Sequence, residues 1–145
     1  MRPFILPFKN LLLNGIAPKT KKLSKTCDFV ICESFDIVTV PFPFTDQSRQ
    51  KRRPALLLSP LIFNSNGYSV MAMITTKGNS IWQGDTEIEK LQDTGLNASC
   101  CIRLKIFTID NRLIQNKIGK LSLGDTKKFM KNYSMYMIPK LPKGK

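Results

Sequence analysis

Short runs of apolar and β-branched residues, separated by polar turns, dominate the chain from residue 35 onwards. Runs of about four to eight such residues are typical of buried strands. They predict strands in FDIVTVPF (35–42), PALLLS (54–59), YSVMAMIT (68–75), ASCCIRLK (98–105) and NKIGKLS (116–122). DTEIEK (85–90) alternates instead, so it predicts a strand whose acids, Asp85, Glu87 and Glu89, share a solvated face.

Helical periodicity begins after residue 121. Ser122 is placed to cap the helix, Asp125 lies in its first turn, and an apolar stripe follows, made of Phe129, Met130, Tyr133 and Met137. Five or six short strands and one C-terminal helix predict a mainly β fold, a small curved antiparallel barrel. Such a barrel leaves an open groove between its loops.

The chain divides by composition into three parts. Residues 1–27 carry six Lys and Arg and no acid, and their apolar patches are short and broken by proline. We expect residues 1–33 to be a basic extension outside the folded domain, 34–138 to form the domain, and 139–145 to be a basic tail. The extension lacks the continuous apolar stretch of a secretory signal, and no apolar run approaches the roughly 20 residues that cross a bilayer.

Charge narrows the class of partner. The chain has 23 Lys and Arg against 10 Asp and Glu, a formal net charge of +13, which favours a polyanion such as nucleic acid, an anionic membrane face or an acidic protein. The cysteines Cys27, Cys32, Cys100 and Cys101 show no C-x-x-C pair, and the chain has no histidine. We therefore expect no metal site, and reduced thiols in a cytoplasmic protein.

Two features could contact a polyanion. RQKRRPALLL (49–58) places four cations immediately before a buried strand. Arg49, Lys51 and Arg52 are interpreted as a solvated loop that attracts phosphate without individual roles, whereas Arg53 could be a functional group or a structural ion-pair partner at the strand start. Trp82 could stack on an extruded base or close one end of the barrel.

Three segments in order resemble the MazF/PemK family of toxins from type II toxin–antitoxin systems. They are FDIVTVPFPFTDQSRQKRRPALLLSP (35–60), MAMITT (71–76) and IRLKIFTIDNRLIQNKIGKLS (102–122), and the similarity spans about residues 34–134. The resemblance implies an SH3-like barrel of the CcdB/MazF/PemK type, a homodimer, and a metal-independent endoribonuclease of single-stranded RNA that needs no cofactor. It also implies an acidic antitoxin as partner, with DNA contact through the toxin–antitoxin complex.

The resemblance also assigns residues. Arg53 matches the catalytic arginine of the family, and Thr75 matches a threonine that hydrogen-bonds the phosphate, with Thr76 as the alternative. Ser48 corresponds loosely to a loop serine. The remaining candidates for RNA contact are Arg49, Lys51, Arg52, Lys77, Trp82, Arg103 and Lys105. The chain has Leu104 and Lys105 where many relatives carry an acid and a glutamine, so Arg103 and Lys105 would make one strand face more positive.

The residue content limits the chemistry. Without histidine, a mechanism that uses two imidazoles is excluded. The remaining route is attack of the ribose 2′-OH on the adjacent phosphate, which leaves a 2′,3′-cyclic phosphate and a 5′-OH. A guanidinium suits the charge that develops, but its pKa above about 12 makes it a poor base, so the base stays unassigned.

Two alternatives without cleavage remain open. The related CcdB toxins use the same fold to bind DNA gyrase, and a degenerate barrel could bind nucleic acid without cutting it. The combination of Arg53 and Thr75 argues against the gyrase-binding alternative.

Overall fold

Six antiparallel strands form one curled sheet in the computed structural model, which describes residues 32–41, 51–78 and 80–144. In chain order the elements are β1 (Asp36–Pro41), β2 (Arg52–Leu57), α1 (Leu61–Asn64), β3 (Tyr68–Thr76), β4 (Thr86–Glu87), β5 (Cys100–Asp110), a 3-10 turn (Asn111–Leu113), β6 (Asn116–Lys120) and α2 (Leu123–Met137). The strands are ordered β4-β5-β3-β2-β1-β6. The prediction of a mainly β fold with a C-terminal helix is confirmed.

Both faces of the sheet are apolar, because alternate residues of the central strands enter two separate cores. Core A consists of Cys32, Val38, Val40, Ala55, Leu57, Met71, Phe107 and Ile109. Core B consists of Ile37, Leu56, Ala72, Ile74, Ile88, Cys100, Ile102, Leu121 and Phe129. Phe129 comes from α2, so the helix covers the face of core B. This explains why the strands appear in the sequence as continuous apolar runs.

The start of α2 is fixed by side-chain caps. The Ser122 hydroxyl accepts the backbone N–H of Asp125 at 3.1 Å, as the sequence predicts. Asp125 in turn accepts the backbone N–H groups of Glu89 and Lys90 at 3.2 and 3.1 Å. Burial alone would raise the pKa of Asp125, but the hydrogen bonds from Lys90, Ser122 and Glu89 together hold it below its usual value. One carboxylate thus ties the helix to the segment after β4.

One local prediction was wrong, and one helical turn was not predicted. The solvated strand over 85–90 is reduced to Thr86–Glu87, and the Asp85 side chain is only 10% exposed because it pairs with Arg103 on β5. The segment before the turn at Asn66 and Gly67 contains a helical turn, Leu61–Asn64, that the pattern did not indicate. It begins after Pro60, whose fixed φ suits a helix start.

Within the described ranges, none of the helices is both long enough and apolar enough to cross a membrane.

Candidate functional site

Arg53 and Thr75 lie on neighbouring strands, towards the same end of each. The register of β2 and β3 ends with the pair of Ala55 and Met73, and Arg53 and Thr75 each lie two residues beyond that pair. Because side chains alternate along a strand, Arg53 projects to the face of Ala55 and Thr75 to the face of Met73, which is the face of core A. Both side chains are half-buried. The structure therefore places the two residues that the resemblance proposes for catalysis on neighbouring strands and on the same face.

The same row continues across the sheet. Thr75 pairs with Cys101 of β5, and Cys101 pairs with Glu87 of β4. The row thus runs Glu87, Cys101, Thr75 at the spacing of neighbouring strands, about 4.8 Å per step, and Arg53 follows on β2 beyond the last pair of β2 and β3. It lies on the face of core A, opposite to α2.

Basic residues flank this row. Lys51 lies two residues before Arg53, and Lys77 lies two residues after Thr75. Because side chains alternate along a strand, both lysines lie on the same face as Arg53 and Thr75. Lys77 is exposed and forms an ion pair of 2.7 Å with Glu87. Arg52 and Thr76 are also exposed, but alternation places them on the other face. This geometry favours Thr75 over Thr76 as the neighbour of Arg53.

Arg103 is held inside a cluster. Its guanidinium donates to the two carboxylate oxygens of Asp85 at 2.8 to 3.3 Å and to the carbonyl of Ser80 at 2.8 Å. Its side chain is 13% exposed, and the hydrogen bond to Asp85 raises its pKa above the ordinary value. Because Asp85 neutralises it, Arg103 is better suited to positioning neighbours than to gripping a phosphate.

Trp82 is the main neighbour that Arg103 positions. The guanidinium carbon lies 4.7 Å from the centroid of the indole ring, a cation–π distance. The backbone N–H of Trp82 donates to Asp85 at 3.0 Å. The residue is still 46% exposed, which favours a stacking surface over a plug at the end of the sheet.

The other candidates lie around this region. Leu104 and Ile106 pack against core B, and Lys105 lies between them in the stretch of β5 that has no partner on β3. Lys51 is exposed at the start of β2. Ser48 and Arg49 lie outside the described residues.

A small pocket opens beside the row. It has a volume of about 150 Å³ and is lined by Lys77, Gly78, Ser80, Ile81, Asp85, Glu87 and Cys101. Burial, and then the nearby charge of Asp85, raise the pKa of the Cys101 thiol, so it stays protonated at neutral pH. Among the described residues, no three Cys, Asp or Glu side chains converge as a metal-binding group.

Two acids of this region were missed as functional partners in the sequence. Asp85 and Glu87 alternate in the sequence, a pattern that indicates a solvated face, yet Asp85 pairs with Arg103 and Glu87 with Lys77. The only sequence feature that could have indicated these ion pairs was the presence of cations in the neighbouring strand segments. Pairing depends on strand register, which the local pattern does not supply.

Comparison with known families identifies the group. A family model described as a PemK-like, MazF-like toxin of type II toxin–antitoxin systems matches residues 33–131. The chain belongs to this family of toxins. The resemblance seen in the sequence is thereby confirmed. A search of curated protein sequences found no match.

Solved structures of MazF-type toxins share the fold. An endoribonuclease from a mycobacterial species, in complex with its cognate antitoxin, superposes with a TM-score of 0.61 at 13% identity, covering 77% of this chain and 99% of its own. MazF from Deinococcus radiodurans gives 0.56 at 15% identity, covering 72% and 94%. The Mycobacterium tuberculosis toxin MazF-mt6 gives 0.55 at 17% identity, covering 69% and 93%.

Proposed function

We propose that this toxin is an endoribonuclease that cuts single-stranded RNA without a metal ion. The observation that carries the proposal is the placement of Arg53 and Thr75 on one face of neighbouring strands, in a chain of the PemK-like, MazF-like family. The mycobacterial structure with the same fold is described as an endoribonuclease. The excess of cations, +13 over the whole chain, suits a polyanionic substrate.

The reaction would use the nucleophile of the substrate itself. The ribose 2′-oxygen forms a bond to the adjacent phosphorus, and the bond to the 5′-oxygen of the next nucleotide breaks. Arg53 would stabilise the additional negative charge on the phosphate through its planar guanidinium, and the Thr75 hydroxyl would donate a hydrogen bond to a phosphate oxygen. The 2′-OH proton goes to a base that we leave unassigned, and the leaving oxygen gains a proton to become a 5′-OH.

Other cations would attract the strand rather than act in the reaction. Lys51 and Lys77 flank the row on the same face, and Arg52 is exposed beside it. Side chains of this kind contribute a salt-dependent attraction that does not depend on RNA sequence. Since Arg103 is neutralised by Asp85, it contributes little to this attraction.

The purified protein, incubated with a long single-stranded RNA in excess EDTA, should produce discrete fragments. Their 3′ ends should carry a 2′,3′-cyclic phosphate and their 5′ ends a hydroxyl, because the route is intramolecular. Ligation and mass analysis of the fragment ends measure this. Intact RNA with a folded protein would favour a gyrase-binding toxin of the CcdB type or an inactive nucleic-acid-binding barrel.

The same site would be regulated by a partner. The matched structures include toxins in complex with antitoxins, among them MazE–MazF from D. radiodurans. We expect an acidic antitoxin, folding on binding, to cover Arg53 and residues 45–52. Adding antitoxin should suppress RNA cleavage in proportion to the complex formed, and a complex that still cuts at the full rate would contradict the proposal.

The assembly and location follow from the same proposal. We expect the toxin to be a homodimer, which sedimentation of the purified protein tests, and to contact DNA only through the complex with its antitoxin. Its site of action would be the cytoplasm, where messenger RNA is translated.

A further inference from the structure

The pocket beside the row lies where the base of a bound nucleotide would reach. This inference rests on the proposed function, in which the reacting phosphate lies over Arg53 and Thr75. Cys101, which lines the pocket, is the next residue of the row after Thr75, and Glu87 follows it. One to two strand spacings, about 5 to 10 Å, therefore separate the phosphate from the pocket. This separation is within the reach of a single nucleotide.

The size and walls of the pocket suit one flat ring. Its volume of about 150 Å³ is below the roughly 300–1,000 Å³ typical of sites for small-molecule ligands. Ile81, Gly78 and Cys101 provide apolar or backbone surface, and the remaining lining residues provide polar groups. A nucleobase has this division, with apolar faces and a polar edge.

Most of the polar groups that line the pocket are hydrogen-bond acceptors. It carries the carboxylates of Asp85 and Glu87 and the hydroxyl of Ser80, against one ammonium group from Lys77. Asp85 is already occupied by Arg103 and by the Trp82 backbone. Glu87 is different, because its side chain is 52% exposed and Lys77 contacts its Oε1. Its carboxylate is the acceptor best placed to meet a ligand.

We propose that this pocket selects guanine next to the cut phosphate, with Glu87 as the residue that determines specificity. Guanine presents an N–H and an amino group side by side, which a carboxylate can accept in parallel, as it does from an arginine fork. Uracil presents one N–H between two carbonyl oxygens, and those oxygens would face the carboxylates. Lys77, released from Glu87, is free to turn to a phosphate.

The first test is sequencing of cut sites in a randomised RNA library treated with wild type, Glu87→Gln and Glu89→Gln. Glu89 is a matched control, because it pairs with Lys128 and does not line this pocket. Wild type and Glu89→Gln should show guanine enriched at one position beside the cut. Glu87→Gln should lower that enrichment about tenfold or more, since an amide cannot accept two hydrogen bonds in parallel.

The second test separates base recognition from cleavage. Five-nucleotide 2′-O-methyl RNAs of sequence UUGUU, UUIUU (I, inosine) and UUUUU cannot be cut by the proposed route, and inosine lacks the amino group of guanine. Wild type should bind UUGUU about tenfold more tightly than either of the others, and Glu87→Gln should bind all three alike.

The outcomes distinguish the two proposals. Cleavage without guanine enrichment, or with enrichment unchanged in Glu87→Gln, overturns the pocket and leaves the ribonuclease standing. Discrimination among the 2′-O-methyl RNAs by a protein that cuts no RNA overturns the ribonuclease and supports the pocket. Equal binding of all three RNAs by wild type overturns guanine selection.

Discussion

Arg53→Ala should reduce RNA cleavage in EDTA by about 100- to 1,000-fold, the usual cost of removing one donor to a charge that develops in the transition state. The cleavage rate at saturating enzyme should account for this loss, because other cations still attract the RNA strand. The fold should survive, since the pairing of β2 with β1 and β3 uses backbone groups and the apolar residues Ala55 and Leu57. Single-turnover cleavage and thermal unfolding measure the two effects separately.

Two further variants sharpen this result. Arg112→Ala removes a guanidinium from the opposite end of β5, where it pairs with Asp110, and should cut at the wild-type rate. Arg53→Lys keeps the charge but loses the planar fork, so it should recover only part of the activity. If Arg53→Ala cuts within about threefold of wild type, Arg53 is a structural residue and the proposed site is wrong.

A binder without catalysis would respond differently to the same change. It would lose affinity, and the dependence of its affinity on salt would become shallower by about one counterion. A protein that only binds RNA would not cleave it, so the Arg53 change could not lower a cleavage rate at saturation. Measuring binding and cleavage on the same Arg53 variants therefore separates an enzyme from an inactive barrel.

The fold could be predicted from the sequence because its determinants are local. Apolar runs such as 37–40 and 55–58 are long enough to mark buried strands, and Ser122 with Asp125 marks the start of α2. The positions of Arg53 and Thr75 came from resemblance, and their adjacency required the register of two strands that are distant in sequence.

The rest of the site depends on cross-strand geometry. β5 carries an irregularity between Arg103 and Ile106, where two of its residues have no partner on β3. The register of β4 with β5, which pairs Thr86 with Ile102, sets Asp85 beside Arg103, so an acid that alternates like a solvated residue becomes largely buried. Neither alternation nor composition reports strand register or a bulge, and therefore the ion pairs of Asp85 and Glu87 could not be predicted.

The stability of the fold depends on a different region, where the backbone of β6 comes close to the backbone of the 91–96 turn. A Cβ at Gly119 would overlap the carbonyl oxygens of Asp93 and Thr94, and a Cβ at Gly95, whose φ is +68°, would overlap the carbonyl of Ile118. The close approach is fixed by the hydrogen bond from the Lys120 N–H to the Asp93 carbonyl at 2.8 Å. β6 can therefore pack on the 91–96 turn only with glycine at both positions.

Gly119→Ala should lower the free energy of unfolding by about 3 kcal/mol, the upper end for overpacking, because the atoms in the way are backbone and cannot rotate aside. For a domain of this size the melting temperature should fall by about 10 °C. Gly124→Ala is the matched control. Its Cβ would meet only the Ser122 hydroxyl at 3.9 Å, and alanine inside a helix is favoured by up to about 1 kcal/mol, so its melting temperature should rise.

Thermal unfolding of the three proteins, followed by circular dichroism, tests this expectation. A Gly119→Ala protein that melts within about 2 °C of wild type would show that the turn can move away from β6. Gly119 is remote from the row of Arg53 and Thr75, so below its melting temperature this variant should still cut RNA at the wild-type rate. The opposite behaviour of Arg53→Ala, stable but inactive, would show that the face of core A carries the chemistry while the contact of β6 with the 91–96 turn contributes only to stability.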